Sequence, residues 1–148
     1  MSKSNSRSWE IHDHTADVII EGKGKTLEKA FEGIALALQS VMVDISSVKP
    51  RKIIKECIEL NSSSSEEQLF EFLSRIVFIK DVKKFFFSDV ELFITTDNNK
   101  VKLCFTLKGE RIDPKKHTIF TDVKGVSYSE LKILNEKGYY ICRCVVDV

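Results

Sequence analysis

Residues 26–43 carry an apolar stripe too wide for a helix that is covered on one side only. Apolar side chains recur there at intervals of three and four, which predicts a helix that begins at Thr26 and ends near Val43. Its members are Leu27, Ala30, Phe31, Ile34, Ala35, Leu38, Val41 and Met42. A stripe of this width indicates packing on more than one side, so other elements must cover this helix on at least two sides.

The segments on either side of this helix are predicted to be strands. Residues 18–20 form a short strand that is ended by Gly22 and Gly24, and residues 52–60 alternate well enough to predict another strand. A second helix is predicted from Ser65 to near Lys80, because Ser65 and Gln68 have the spacing of a capping box.

After residue 85 the chain is predicted to be mostly strand. Segments 90–96 and 101–107 flank a hairpin turn, a long strand over 121–134 bends near Gly125, and a last strand covers 139–148. The predicted order is β-α-β-α-β-β-β-β. This order is typical of an α+β fold, with two helices packed on a mostly antiparallel sheet system.

Composition limits the classes of function. The 148 residues are 43% hydrophobic and 30% charged, and we expect a single domain over residues 9–148 behind a flexible leader over residues 1–8. The net charge of +1 argues against a protein that binds nucleic acid through charge alone. No apolar run approaches the ~20 residues that a membrane span needs. The start of the chain lacks an apolar signal core, so we expect a cytoplasmic protein.

Four cysteines lie in apolar or alternating segments, at Cys57, Cys104, Cys142 and Cys144. The last two share one face of the final predicted strand, because side chains repeat every second residue. A zinc site needs a second pair of ligands at suitable spacing, and the chain has none. We therefore expect all four to be reduced, buried core residues.

Acidic residues stand close to both ends of the chain. Asp13, His14 and Asp17 precede the first predicted strand, and Asp147 and Val148 end the last one. Short polar side chains such as these often satisfy nearby backbone groups, which is one interpretation of the first set.

Two interpretations of the last strand stay open. Strand parity places Arg143 on the same face as Asp147, where it could neutralise the carboxylate. Alternatively the carboxylates of the two ends meet, repel one another and require a cation. An all-oxygen ligand set suits Mg²⁺, Ca²⁺ or Mn²⁺. The sequence does not show whether the ends meet.

The remaining candidates are weaker. Lys115, Lys116 and His117 with Lys124 form a modest basic patch, which is more typical of a solvated loop than of a phosphate site. No serine or cysteine has the sequence context of an activated nucleophile, so we predict a protein that is not itself an enzyme.

Five motifs follow one another in order along the chain: DHTAD at residues 13–17, GKTLEKAF at 24–31, DPKKH at 113–117, TDVKGVSY at 121–128 and VDV at 146–148. In these segments the chain resembles the archease family, and the resemblance extends over residues 9–148. It implies an accessory role, since archeases act with RtcB-type RNA ligases that join tRNA halves in tRNA splicing. These ligases use GTP and a divalent metal.

The resemblance also implies how such a protein acts. It would promote guanylylation and multiple turnover of the ligase, and it would meet GTP and tRNA halves only through the ligase. Carried over by position, the implied metal ligands are Asp17, Asp147 and the Val148 carboxylate, with Asp13 and His14 in support. The implied metal is Ca²⁺, Mg²⁺ or Mn²⁺.

Contacts with the ligase or a nucleotide phosphate are expected at His117 and Lys124. Two other functions remain as alternatives. A general chaperone or modulator of nucleic-acid-processing enzymes would suppress aggregation of unrelated clients. A stand-alone metal-dependent phosphoesterase would turn over phosphoesters without a partner.

Overall fold

The computed structural model describes residues 7–13, 17–61 and 64–148, with the main chain alone at positions 12 and 13. Two α-helices, one short 3₁₀ helix and seven strands make up this part of the chain. In chain order they are β1 Arg7–Asp13, β2 Asp17–Gly24, α1 Leu27–Met42, the 3₁₀ helix Ile45–Ser47, β3 Lys52–Asn61, α2 Ser65–Lys83, β4 Phe85–Asp97, β5 Lys100–Arg111, β6 Gly125–Glu136 and β7 Tyr139–Asp147.

The strands form two antiparallel sheets, with orders β1-β2-β7-β6 and β3-β5-β4. Helix α1 contacts β1, β2 and β7 of the first sheet and β4 of the second. Helix α2 contacts β6 of the first sheet and all three strands of the second. The helices therefore lie between the two sheets, which confirms the predicted α+β fold. No helix in the described ranges is both long and apolar enough to cross a membrane.

Helix α1 is the centre of the core, as the wide stripe predicts. Thr26 caps it, since its hydroxyl accepts a hydrogen bond from the Lys29 N–H at 3.1 Å. All residues from 30 to 39 are buried. The helix rests directly on β2 at Gly22, where an added Cβ would lie 2.1 Å from the Ile34 nitrogen. Only glycine allows this close approach.

Strand β1 was not predicted as a strand. It is an edge strand, and its apolar residues Trp9 and Ile11 are 40% and 38% exposed. An edge strand of this kind lacks the clear alternation of apolar and polar residues that predicts a strand. Residues 7 and 8, which the sequence assigned to the leader, belong to β1, while residues 1–6 lie outside the described residues.

Arg7 connects β1 to α1 and β4 through three hydrogen bonds. Its guanidinium donates to Glu32 Oε1 at 2.8 Å, to Asp89 Oδ1 at 3.0 Å and to the Val90 carbonyl at 3.1 Å. Glu32 lies on α1, and the other two acceptors lie on β4. One side chain thus joins the first sheet, the central helix and the second sheet.

Helix α2 begins at Ser65 as predicted, but its N-cap lies one residue earlier than the predicted capping box. Ser64 is the N-cap, its hydroxyl accepts from the Glu67 N–H at 3.1 Å, and Glu67 Oε1 accepts from the Ser64 N–H at 3.1 Å. The predicted capping box of Ser65 with Gln68 is therefore wrong. Consecutive serines offer the capping-box spacing twice, and the structure uses Ser64 with the acidic Glu67. The helix ends at Lys83, not near Lys80.

Strand β6 begins at Gly125, so residues 121–124 are loop and not strand as predicted. Its pairing with β7 shifts between Ser127 and Lys132, which places the irregularity a few residues after the predicted bend. The loop before β6 matters for the site, because it reaches the end of β7.

The cysteines divide into two pairs. Cys57 and Cys104 form a disulfide, so the prediction of reduced thiols is wrong for them. Cys142 and Cys144 are free and buried, as predicted. Burial raises the pKa of both thiols, to about 12 for Cys144.

Candidate functional site

The two ends of the domain meet in the first sheet. Asp17 on β2 lies directly opposite Asp147 on β7 in the antiparallel register. Directly opposite residues of antiparallel strands project from the same face, with Cβ atoms about 4.5–5.5 Å apart. Asp17 is half-buried and Asp147 is exposed, so the pair lies at the surface of the sheet.

The end of β7 is held on both sides. Asp147 pairs with Asp17 on one side and with Gly125 of β6 on the other. Its carbonyl oxygen accepts a hydrogen bond from the Lys124 N–H at 2.7 Å. The half-buried Val148 packs against the core. The acidic end of the strand therefore has a defined position.

Lys80 on α2 holds the loop that reaches this position, a role that no sequence motif predicts. It is 5% exposed and donates from Nζ to Asp122 Oδ1 at 2.5 Å and to the Val123 carbonyl at 2.8 Å. It also forms an ion pair with Asp81 at 2.6 Å. Burial alone would lower the pKa of Lys80, but the hydrogen bonds and charges of the two aspartates outweigh it and raise that pKa.

No cation neutralises the two paired aspartates within the part of the chain that the structure describes. Arg143, the sequence candidate for this role, binds Glu21 instead, at 3.1 Å from Nε and 2.8 Å from Nη2. Glu21 lies directly opposite Arg143 in the register, whereas Asp147 is four positions further along the same strand. The interpretation of Arg143 as the partner of Asp147 is therefore wrong.

The two predicted supporting residues are Asp13 and His14, and the structure describes only the main chain of Asp13. The main chain of Asp13 pairs with Val18, one position beyond Asp17, and His14 lies outside the described residues. Across residues 7–13, 17–61 and 64–148, no group of three or more His, Cys, Asp and Glu residues is placed to hold a metal ion. The described side chains thus supply two carboxylates, Asp17 and Asp147.

These two carboxylates fit a hard divalent cation chemically. They present oxygen donors on one face of a sheet, and the register keeps them close together. No described cationic side chain forms an ion pair with either of them, so a cation placed between them would relieve their mutual repulsion.

The residues expected to contact a partner differ in their accessibility. Lys124 is exposed and lies beside the acidic pair through its main-chain bond to Asp147. His117 is 4% exposed, and its Nδ1 accepts from the Asp113 N–H at 3.0 Å. Its Nε2 lies 3.4 Å from Glu110 Oε2. A contact with a partner through His117 therefore requires this loop to open.

Comparison with known proteins is consistent with the resemblance seen in the motifs. The model of the Archease protein family matches residues 9–148. A protein named archease from Thermococcus kodakarensis is 38% identical over 129 residues, which cover 86% of this chain and 88% of the relative.

Solved structures show the same fold. Protein 1598 of Methanobacterium thermoautotrophicum superposes with a TM-score of 0.79 at 29% identity, covering 95% of this chain and 99% of its own. The Thermotoga maritima structure described as an archease and possible chaperone gives a TM-score of 0.56 at 18% identity, covering 100% of this chain and 98% of its own. With the family model matched over nearly its whole length, this chain belongs to the archease family.

Proposed function

We propose that this chain is a metal-binding accessory protein that activates an RtcB-type RNA ligase in tRNA splicing. Membership of the archease family supports the accessory role. The observation that carries the metal site is the register pairing of Asp17 with Asp147, without a neutralising side chain in the described ranges. In this proposal the chain works in the cytoplasm and promotes guanylylation and multiple turnover of the ligase.

The ligands we propose are the carboxylates of Asp17, Asp147 and Val148, with Asp13 and His14 in support. Oxygen ligands bind Ca²⁺, Mg²⁺ and Mn²⁺ at about 2.0–2.6 Å. Carboxylates on Cβ atoms about 5 Å apart can reach one such ion. When bound, the cation would supply a positive charge that the ligase can use at its GTP site.

The chain's own residues would position that charge. Strands β2 and β7 keep both aspartates on one face, and the Lys124 N–H holds the end of β7. Lys80 holds the preceding loop from α2. The exposed side chain of Lys124 would contact the ligase or a phosphate, and His117 would join it only when its loop opens. GTP and tRNA halves would be met through the ligase.

The test measures guanylylation and multiple turnover of the cognate ligase with and without this protein. Asp147→Asn keeps the size of the side chain but removes its charge, so it should reduce activation at least roughly tenfold. Asp97→Asn is the matched control, because Asp97 ends β4 in the second sheet. Full activation by both Asp147→Asn and Asp17→Asn would contradict the proposal.

The same preparations separate the alternative functions. A general chaperone would protect an unrelated aggregating client, and Asp147→Asn would protect it equally well. A phosphoesterase would release product from a model phosphoester in the absence of ligase. We expect neither activity from the wild-type protein.

A further inference from the structure

A disulfide crosses the second sheet at one position of its register. Cys57 on β3 lies directly opposite Cys104 on β5, their Cα atoms are 4.1 Å apart, and their sulfurs are bonded. So short a Cα distance is typical of the narrow, non-hydrogen-bonded pairs of antiparallel strands. The two sulfurs are therefore brought together by the strand pairing itself.

This disulfide lies on the outer face of the sheet. The neighbouring residues Ile58 and Leu103 point inward and are buried, whereas Cys57 is exposed and Cys104 is half-buried. On the other side of Cys104 its partner on β4 is Phe93, which is 66% exposed. A reagent in solvent can therefore approach the bond, and Cys57 is the more exposed residue of the two.

The other two cysteines provide an internal contrast. Cys142 and Cys144 are fully buried on the inner face of β7, and burial disfavours their thiolates. The thiolate is the reactive form of cysteine, so these two thiols should be inert in the folded protein. Redox chemistry is confined by this arrangement to the pair on the second sheet.

We propose that Cys57 and Cys104 form a reversible thiol–disulfide exchange site whose substrate is a dithiol. A thiolate of the dithiol attacks Sγ of Cys57, and the bond to Sγ of Cys104 breaks. Cys104 leaves as a thiolate and takes up a proton. The second thiol of the dithiol then attacks the mixed disulfide, releases Cys57 as a thiol and closes the dithiol's own disulfide. Two electrons pass from the dithiol to the protein.

The reverse reaction is favoured by the same geometry. Strand β3 pairs with β5 over its whole length from Lys52 to Asn61, so the ladder continues on both sides of the cysteines. These pairs should keep the two thiols opposed after reduction. An oxidised dithiol can then restore the bond without refolding of the chain.

The test uses the full chain in native buffer with graded ratios of reduced to oxidised dithiothreitol. The samples are alkylated without denaturant, and each cysteine is quantified by peptide mass spectrometry. We expect Cys57 and Cys104 to become labelled together at ratios where Cys142 and Cys144 stay unlabelled, and the bond to return in oxidised dithiothreitol. Labelling of all four cysteines together, or of the pair under fully oxidising conditions, would overturn the proposal.

Single variants test which sulfur is attacked. Cys104→Ser leaves the exposed thiol of Cys57, and Cys57→Ser leaves the half-buried thiol of Cys104. The first variant should form a mixed disulfide with 5,5′-dithiobis(2-nitrobenzoate) faster than the second. Equal rates, or a faster reaction of Cys104, would overturn the assignment of Cys57 as the attacked sulfur.

Discussion

Asp17 and Asp147 occupy directly opposite positions on neighbouring antiparallel strands, although they come from opposite ends of the chain. Their side chains project from the same face of the sheet, and Arg143 on that face forms hydrogen bonds with Glu21. Two carboxylates held in this way destabilise the sheet slightly unless a cation joins them.

Replacing Lys80 with methionine should loosen the loop that supports the acidic pair. The Val123 carbonyl would lose its buried donor, which costs about 1–2 kcal/mol in free energy of unfolding. Asp122 and Asp81 are exposed and would remain solvated. Chemical denaturation measures the loss, and a metal titration of the same variant should show weaker binding.

Lys83→Met is the control for that experiment. Lys83 is largely exposed and pairs with Glu56 at 3.3 Å, so its removal should cost less than about 1 kcal/mol and leave metal binding unchanged. An equal effect of the two substitutions on metal binding would show that Lys80 has no special role in positioning the loop.

Gly22→Ala should destabilise the protein strongly. Its Cβ would meet the backbone of α1 at 2.1 Å from the Ile34 nitrogen and 2.6 Å from the Ala30 carbonyl oxygen, so the helix must move away from β2. We expect a loss of about 3 kcal/mol or more, at the upper end for an overpacked core. Gly125→Ala is the comparison, because nothing lies within 4 Å of its Cβ. Urea denaturation of both variants decides whether α1 rests on β2 as closely as described.

Glu110 should make stability depend on pH in the acid range. The Lys49 N–H donates to its carboxylate at 3.1 Å and lowers its pKa; burial opposes this, while His117 and Lys116 add to it. A carboxyl group with a lowered folded-state pKa contributes stability above its unfolded pKa and loses it as the pH falls through the folded value. Glu110→Gln should therefore reduce stability at pH 7, and this difference from wild type should shrink below about pH 4. A difference that grows on acidification would contradict this account.

Reduction of the Cys57–Cys104 bond should lower the free energy of unfolding without unfolding the protein. The bond closes a loop with a sequence separation of 47 that contains α2 and β4. A loop of this size corresponds to up to about 4 kcal/mol in the chain-entropy model. Denaturation with and without reductant measures the effect. The variant with both Cys57→Ser and Cys104→Ser should show no response to reductant.

Local patterns were sufficient to predict both helices and most strands. Helix α1 was predicted almost to the residue, because Thr26 is a good cap and the apolar spacing is unambiguous. The N-cap of α2 was off by one residue, since adjacent serines offered two capping boxes. Strand β1 was missed because an edge strand with exposed apolar residues lacks a clear alternation.

The relationships between distant segments could not be read from local patterns. Strand parity correctly placed Arg143 on the face of Asp147, but only the register with β2 shows that Glu21 is its partner. The pairing of Cys57 with Cys104 was not predicted for the same reason, because it depends on the register of β3 with β5. The meeting of Asp17 and Asp147 was implied by the family resemblance and not by any residue spacing in the chain.

Calorimetric titration of Mn²⁺ into the purified chain tests the central claim most directly. We predict that the wild-type protein and Asp97→Asn bind one ion per chain. Asp17→Asn and Asp147→Asn should each weaken binding at least roughly tenfold. A residue added after Val148 should weaken it as well, because it converts the proposed Val148 carboxylate into an uncharged peptide carbonyl. Unchanged Mn²⁺ affinity in both aspartate variants would contradict the assignment of this pair as the metal site.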